Sequence, residues 1–412
     1  IYTLANNARI GAVARELVEF YGEHIAEHPV GTGPFRLSEW RRSSRLVLER
    51  NPGYREVRWD GEPAEDDAAG QAMLRRYRGR RLPLIDRVEI AIVEESQPRW
   101  LSFLNGDFDV VNVPIEFCTQ AVPGGKLAPY LAKRGVENDR FVASDRTFYY
   151  FNMDDPTVGG MSAEKVALRR AISLASNTEE EIRRLRRGQA VAAQSDVAPG
   201  SYGYDPALRS ENSVYDPARA KALLDLYGYV DRNGDGWRER PDGSPLEIEY
   251  ASQPSALDRE FEELWKKDMD AVGIRIRIRT AQWPEQLKAA RAGQLMIWQL
   301  GNSNNTPDFQ DALINVYGPA AGGQNFARFK DPQCDALFVR MRALPDGAER
   351  LALLRELQRR LVAYVPYRQK VHRIVNYVTQ PRVQAFRFPS FGNQFWQHVD
   401  IDDSRGRGRA AA

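Results

Sequence analysis

The sequence predicts an α/β protein of two or more lobes. Helical and strand patterns alternate along the chain, as they do when helices cover a sheet. With 412 residues, the chain is long enough for a large core and more than one folding unit. Hydrophobic residues at 42% and charged residues at 28% match an ordinary globular protein.

The elements follow in order. Val88–Val93 and Phe108–Val113 read as buried strands. The acidic, Gly-containing stretch Trp59–Gly70 reads as a surface excursion. Asn177 with Glu180 has the form of a capping box. Asp216-Pro217 supplies an N-cap and a first-turn proline for a helix through Leu223, Leu224 and Leu226 that Gly228 ends. Ser255 opens a second helix with Phe261, Leu264, Trp265, Met269 and Val272 on one face. Ile274, Ile276 and Ile278 alternate with Arg275, Arg277 and Arg279, a strand with one buried and one basic face. That basic stripe is either solvated or turned to an anionic ligand. A long helix from about Ala348 to Ala363 presents Leu351, Leu354, Leu357 and Leu361. A disordered tail is expected from about residue 404.

Composition excludes several classes of function. The 58 basic and 56 acidic side chains leave a net charge of +2, which is no footprint for nucleic acid. No apolar run is long enough to cross a bilayer. Ile1–Asn7 lacks a charged start and an apolar core, so no signal peptide is read here. The two cysteines, Cys118 and Cys334, read as unpaired core thiols.

HPVGTGPF at His28–Phe35, followed by LERNPGY at Leu48–Tyr54, resembles a signature of the peptide- and nickel-type solute-binding proteins of bacterial ABC importers, extracellular solute-binding family 5. The resemblance continues through LPLIDRVEIAIV at Leu82–Val93, Gly106–Asp109, Phe148–Asn152, KVALRRAISLA at Lys165–Ala175, NFARFKDPQCDAL at Asn325–Leu337 and Tyr364-Val365-Pro366. It implies a two-lobed, type II periplasmic-binding-protein-like α/β fold. The large lobe would take residues 1–145, the second lobe 146–369, and residues 370–412 would return to the large lobe. The family's front section has no counterpart, so the resemblance implies an N-terminally truncated large lobe with an exposed apolar surface. It also implies an extracytoplasmic, periplasmic component that captures a peptide or peptide-like small molecule and delivers it to a membrane permease. The expected state is a monomer without nucleic acid. A periplasmic sensor or chaperone-like binder, or a hydrolase, would share the fold.

The same resemblance points to site residues. WQLGNSNNTPDFQDAL at Trp298–Leu313 is similar to the family's ligand-contacting stretch. Peptide-binding members place there an aspartate that pairs with the α-ammonium of the ligand. Asn305 stands at that position here and Asn302 replaces a usual aromatic, so this loop lacks the usual counter-charge unless Asp308 supplies it. Asn304 lies between them. Tyr149, Tyr150, Phe151, Trp298, Phe395 and Trp396 are candidate aromatic walls, and Asn152 is a polar candidate beside them. Arg368 or Arg373 could take a carboxylate.

Asp231, Asn233 and Asp235, with Gly236 and a closing Asp242, have the spacing of a calcium loop, and the same residues also suit a plain turn. A structural calcium ion is the one cofactor this spacing suggests; no other is required. No catalytic motif is present: there is no G-x-S-x-G, H-E-x-x-H or Walker loop, and no catalytic residue is assigned.

Overall fold

The computed structural model describes residues 11–392 and 395–406. The N-terminal stretch read for a signal peptide and the tail beyond residue 406 lie outside the described residues. The chain crosses between two compact units at Phe141/Val142 and again at Ile374/Val375. No helix among the described residues is long and apolar enough to cross a membrane.

The first unit begins with an antiparallel sheet of β1 (Phe35–Arg41), β2 (Arg45–Arg50) and β3 (Arg87–Ala91). Helix α1 (Ala68–Tyr77) starts where Asp67 accepts a hydrogen bond from the Gly70 N–H. The acidic surface stretch thus ends as a helix cap. Val88–Val93 is less buried than its apolar residues predict: β3 is an outer strand of its sheet and only alternate side chains are covered. The strand read in Phe108–Val113 is β4 (Val110–Asn112). Helix α2 (Ser96–Asn105) places Trp100 and Phe103 in a core with Val111, Leu131 and Val378. A groove of about 1100 Å³ runs beside β3 and β4, lined by Val88, Ile90, Val110, Val111 and Tyr377 among others.

The two signature strings meet in this unit. Asn51 donates to the Gly33 carbonyl at 2.9 Å, and its own N–H donates to the Pro34 carbonyl at 2.9 Å. The Tyr54 hydroxyl donates to Gln397 at 3.3 Å. Together with Trp396 these residues line a cavity of about 360 Å³.

The second unit is built on one mixed sheet. β5 (Glu137–Val142) ends the first passage through the first unit; then come β6 (Asp145–Phe151), β7 (Ala190–Ala192), β8 (Glu247–Ser252), β9 (Arg275–Thr280), β10 (Ile297–Ser303) and the long β11 (Tyr367–Thr379), which runs back into the first unit. The order is β11-β6-β10-β8-β9, with β7 added to β11. β6 runs antiparallel to both its neighbours, whereas β8 is parallel to β9 and to β10. Helix α3 (Ala163–Ala175), helix α4 (Ala256–Asp270) and helix α5 (Trp283–Arg291) precede helix α6 (Ala348–Tyr364).

The sheet is covered on both faces, and strand periodicity sorts β6 between them. Phe148 and Tyr150 enter one core with Trp298, Phe309 and Leu354. Tyr149 and Phe151 enter the other with Leu168, Trp265 and Met269. Every residue of β6 is buried as a result. The predicted helix caps are present: Asp216 accepts from the Arg219 N–H, Asn177 from Glu180, and Ser255 from Asp258. Cys118 and Cys334 are both buried. On the basic face of β9, Arg277 pairs with Glu247 at 3.0 Å and with Glu249 at 2.7 Å, which are carboxylates of the neighbouring strand.

Candidate functional site

Two β-helix-β passages bring three strand ends to one edge of the second unit. β8 leads through α4 to parallel β9, and β9 leads through α5 to β10, which lies on the other side of β8. In such sheets ligands bind outside the carboxyl ends of the strands, where the order reverses. Those ends here are Ser252, Thr280 and Ser303.

Gln286, fully buried on α5, ties two of these ends together. Its Nε2 donates to the Ser252 carbonyl at 2.8 Å and to the Arg279 carbonyl at 3.1 Å. Its Oε1 has no partner among the described residues. Trp283 opens α5 beside it, where Pro284 favours a helix start. Trp283 is 41% exposed, and its ring centroid lies 4.9 Å from that of Trp298. The third end continues into the Asn-rich loop. Asn302, Ser303 and Asn305 are exposed there. Asn304 turns inward, and its Nδ2 donates to the Ser201 hydroxyl at 3.0 Å while its Oδ1 has no partner among the described residues.

Asp308 does not supply a free counter-charge. Both its oxygens face Arg350, at 3.0 and 2.9 Å, and one also accepts from the Gln310 N–H at 2.8 Å. The Arg350 side chain is 4% exposed and stacks over Phe309 at 4.4 Å. The expected role of Asp308 toward an ammonium is corrected accordingly: its charge is neutralised inside the fold. The other carboxylate of the loop, Asp311, accepts from the Thr306 hydroxyl at 2.8 Å.

The remaining candidates separate. Trp298 lies on β10 opposite Tyr150 of β6, and both are core residues rather than walls of an open site. Burial pushes the Tyr150 hydroxyl well above its ordinary pKa. Tyr149 and Phe151 are equally buried on the opposite face. Asn152 donates to the Gly293 carbonyl at 2.9 Å and accepts from the Asp154 N–H at 3.1 Å, which makes it a turn residue. Arg368 is buried against Ser213 and Thr178 rather than lying at the surface. Arg373 pairs with Asp145, whose carbonyl also accepts from His372 Nδ1 at 2.5 Å. Desolvation lowers the pKa of that histidine. Phe395 and Trp396 belong to the first unit, with their rings 4.5 Å apart.

In the loop with calcium spacing, carboxylate oxygens of Asp231, Asp235 and Glu239 lie within 4.8 Å of one another. The chemistry of the set only partly fits a calcium ion. Asp231 accepts from the Gly234 and Gly236 N–H groups at 2.7 and 2.9 Å, and Asn233 accepts from the Asp235 N–H at 2.8 Å. Arg275 stands 3.6 Å from Asp235. The expected closing ligand is corrected: Asp242 turns to the N–H and hydroxyl of Ser244, at 2.9 and 2.6 Å, and the third acid of the cluster is Glu239.

Ser252, Trp283 and Gln286 were not singled out by the sequence reading. Their signal was available: the alternation of β9 stops at Thr280, and Gln282-Trp283-Pro284 starts a helix at once.

Comparison with known proteins agrees with this architecture. The profile of bacterial extracellular solute-binding proteins, family 5 Middle, matches residues 4–324. Di/tripeptide-binding protein 2 of Pseudomonas aeruginosa is 25% identical over 387 residues, which cover 92% of this chain and 63% of that protein. Heme-binding protein A of Haemophilus influenzae is 24% identical over 92% of this chain and 61% of its own length. The chain thus spans 61–63% of the length of these curated relatives. Among solved structures, the oligopeptide-binding protein AppA of Bacillus subtilis, in complex with a nonapeptide, superposes with a TM-score of 0.72 at 14% identity, covering 95% of this chain and 72% of that one. NikZ of Campylobacter jejuni, in complex with Ni(L-His), gives 0.71 at 16% identity, covering 95% and 73%. The fold is therefore the type II periplasmic-binding-protein α/β fold, and the chain belongs to family 5 of the bacterial extracellular solute-binding proteins.

Proposed function

We propose that this chain is the extracytoplasmic solute-capturing component of an ABC importer. It takes a peptide or peptide-like solute at the carboxyl ends of β8, β9 and β10 and passes it to a membrane permease. It acts as a monomer, without catalysis. The observation that carries this reading is the exposed, neutral, hydrogen-bonding run Asn302, Ser303 and Asn305 at the end of β10, the strand whose Trp298 packs on the exposed Trp283. Side-chain amides both donate and accept, which suits the N–H and C=O groups of a peptide backbone, and an aromatic face suits its side chains. The names of the relatives, di/tripeptide-binding proteins among them, point the same way. With Asp308 held by Arg350, this loop favours a solute without an ammonium at that end.

Native mass spectrometry of the chain purified from a bacterial periplasm, followed by denaturation, tests the reading. A stoichiometric, peptide-like adduct is expected. In an Asn302→Ala/Asn305→Ala double variant, affinity for that solute should fall about tenfold, the loss of roughly two neutral hydrogen bonds. A folded protein that is empty and also ignores free and N-acetylated dipeptides sinks the proposal.

A further inference from the structure

A cavity of about 760 Å³ opens in the second unit between α6, the start of β11 and the loop 194–213. None of the strand-end residues lines it. Its floor contains Asp196 and Gln369, both buried, and Tyr204, Leu208 and Leu354 form apolar walls. Arg355 and Arg359 lie exposed on its rim.

The floor offers acceptors beside the buried guanidinium of Arg368, which also lines the cavity. Gln369 Nε2 donates to Asp196 Oδ1 at 2.6 Å, which fixes the orientation of the amide because only its NH₂ end can donate. Gln369 Oε1 is left buried with no hydrogen-bond partner among the described residues, on a residue 7% exposed. The neighbouring Arg146 donates through Nη1 to the backbone carbonyl of Asp196 at 2.7 Å, and its charge also acts on the Asp196 carboxylate. The rim offers cations. Arg355 and Arg359 make no ion pair among the described residues, whereas the other charged rim groups are engaged. Glu211 faces Arg219 at 3.6 Å, Asp205 accepts from the Ala207 N–H at 2.9 Å, and Arg209 donates to the Pro206 and Leu208 carbonyls at 2.8 Å. A buried acceptor pair at one end and unpaired guanidinium groups at the other select a ligand of matching polarity.

We propose that this cavity is a second ligand site of the chain, for a small zwitterion whose primary ammonium meets Asp196 and Gln369 Oε1 and whose carboxylate meets Arg355 and Arg359. The walls between take a short apolar body.

Isothermal titration of the whole chain with γ-aminobutyrate and ε-aminocaproate tests this, with n-butylammonium and hexanoate as controls that carry one charge each. At least one zwitterion should bind about tenfold more tightly than either control. The Arg355→Ser/Arg359→Ser variant changes only exposed side chains, and it should reduce zwitterion binding to the level of n-butylammonium. Asp196→Asn should weaken zwitterion and n-butylammonium alike, while Asn302→Ala/Asn305→Ala should leave both unchanged. Absence of zwitterion binding, equal binding by the rim variant, or loss in the asparagine variant each overturns the proposal.

Discussion

At the scale of single residues, charges that the sequence scatters are drawn into the fold. Asp308 is the clearest case, because its spacing in a polar loop suggests a ligand contact. Its partner Arg350 lies far away in the sequence, and only the packing of α6 brings the two together. Asp268 is another residue whose role the sequence does not reveal. It sits on α4 and accepts from the Asn177 N–H at 2.7 Å, and desolvation raises its pKa from 3.8 to about 6. The folded state therefore holds this proton to a higher pH than the unfolded chain does. Its stabilising contribution is complete below pH 3.8 and is lost as the pH rises through about 6. In Asp268→Asn that slope should flatten between those two values, as read from urea unfolding across the range. An unchanged slope would assign the pH dependence to other groups.

At the scale of elements, patterning was the legible part. The caps at Asn177, Asp216 and Ser255 were readable because an N-cap is a local matter of one side chain and an N–H two or three residues on. The aromatics of β6 and β10 were harder to place. Tyr150 and Trp298 stand near a polar loop in the sequence, yet covering both faces of the sheet turns central strands into core. Which strand is central depends on pairings that local pattern does not encode. The 231–242 loop illustrates the same limit. Its spacing is that of a calcium loop, but the backbone N–H groups, Arg275 and Ser244 already occupy most of the side-chain oxygens that spacing counts. The third acid of the cluster, Glu239, already accepts from the Arg232 N–H at 2.7 Å. The melting temperature is therefore expected to be the same in millimolar calcium and in excess chelator, by circular dichroism. A rise of several degrees with calcium would show that the loop rearranges around the ion.

At the scale of the whole molecule, the two units have separate cores. The first gathers around Trp100, Phe103 and Leu131, and the second has an extensive core on each face of its sheet. Units with their own cores can unfold with separate cooperativity. Scanning calorimetry should resolve two transitions, the first unit melting at the lower temperature because its apolar core is smaller. A single transition with matching calorimetric and van't Hoff enthalpies would contradict this. The existence of two lobes was legible from length and from the family signature. The resemblance places the crossings after residues 145 and 369, and the structure has them at Phe141/Val142 and Ile374/Val375; the second is not fixed more sharply by the sequence because β11 runs unbroken from one unit into the other.

That continuous strand has a consequence for how the protein is made. The second unit is nested inside the first, and its two ends meet where the Ala143 N–H donates to the Arg373 carbonyl at 2.8 Å. On a ribosome the first unit is begun early but cannot be finished until β11 and the segment after it have emerged. The second unit is complete as soon as Ile374 is free, and can close its sheet while the earlier segment still waits for its last strand. The usual order of synthesis, front first, is inverted by topology. The vulnerable species during biogenesis is then a finished inner unit carrying an unfinished outer one.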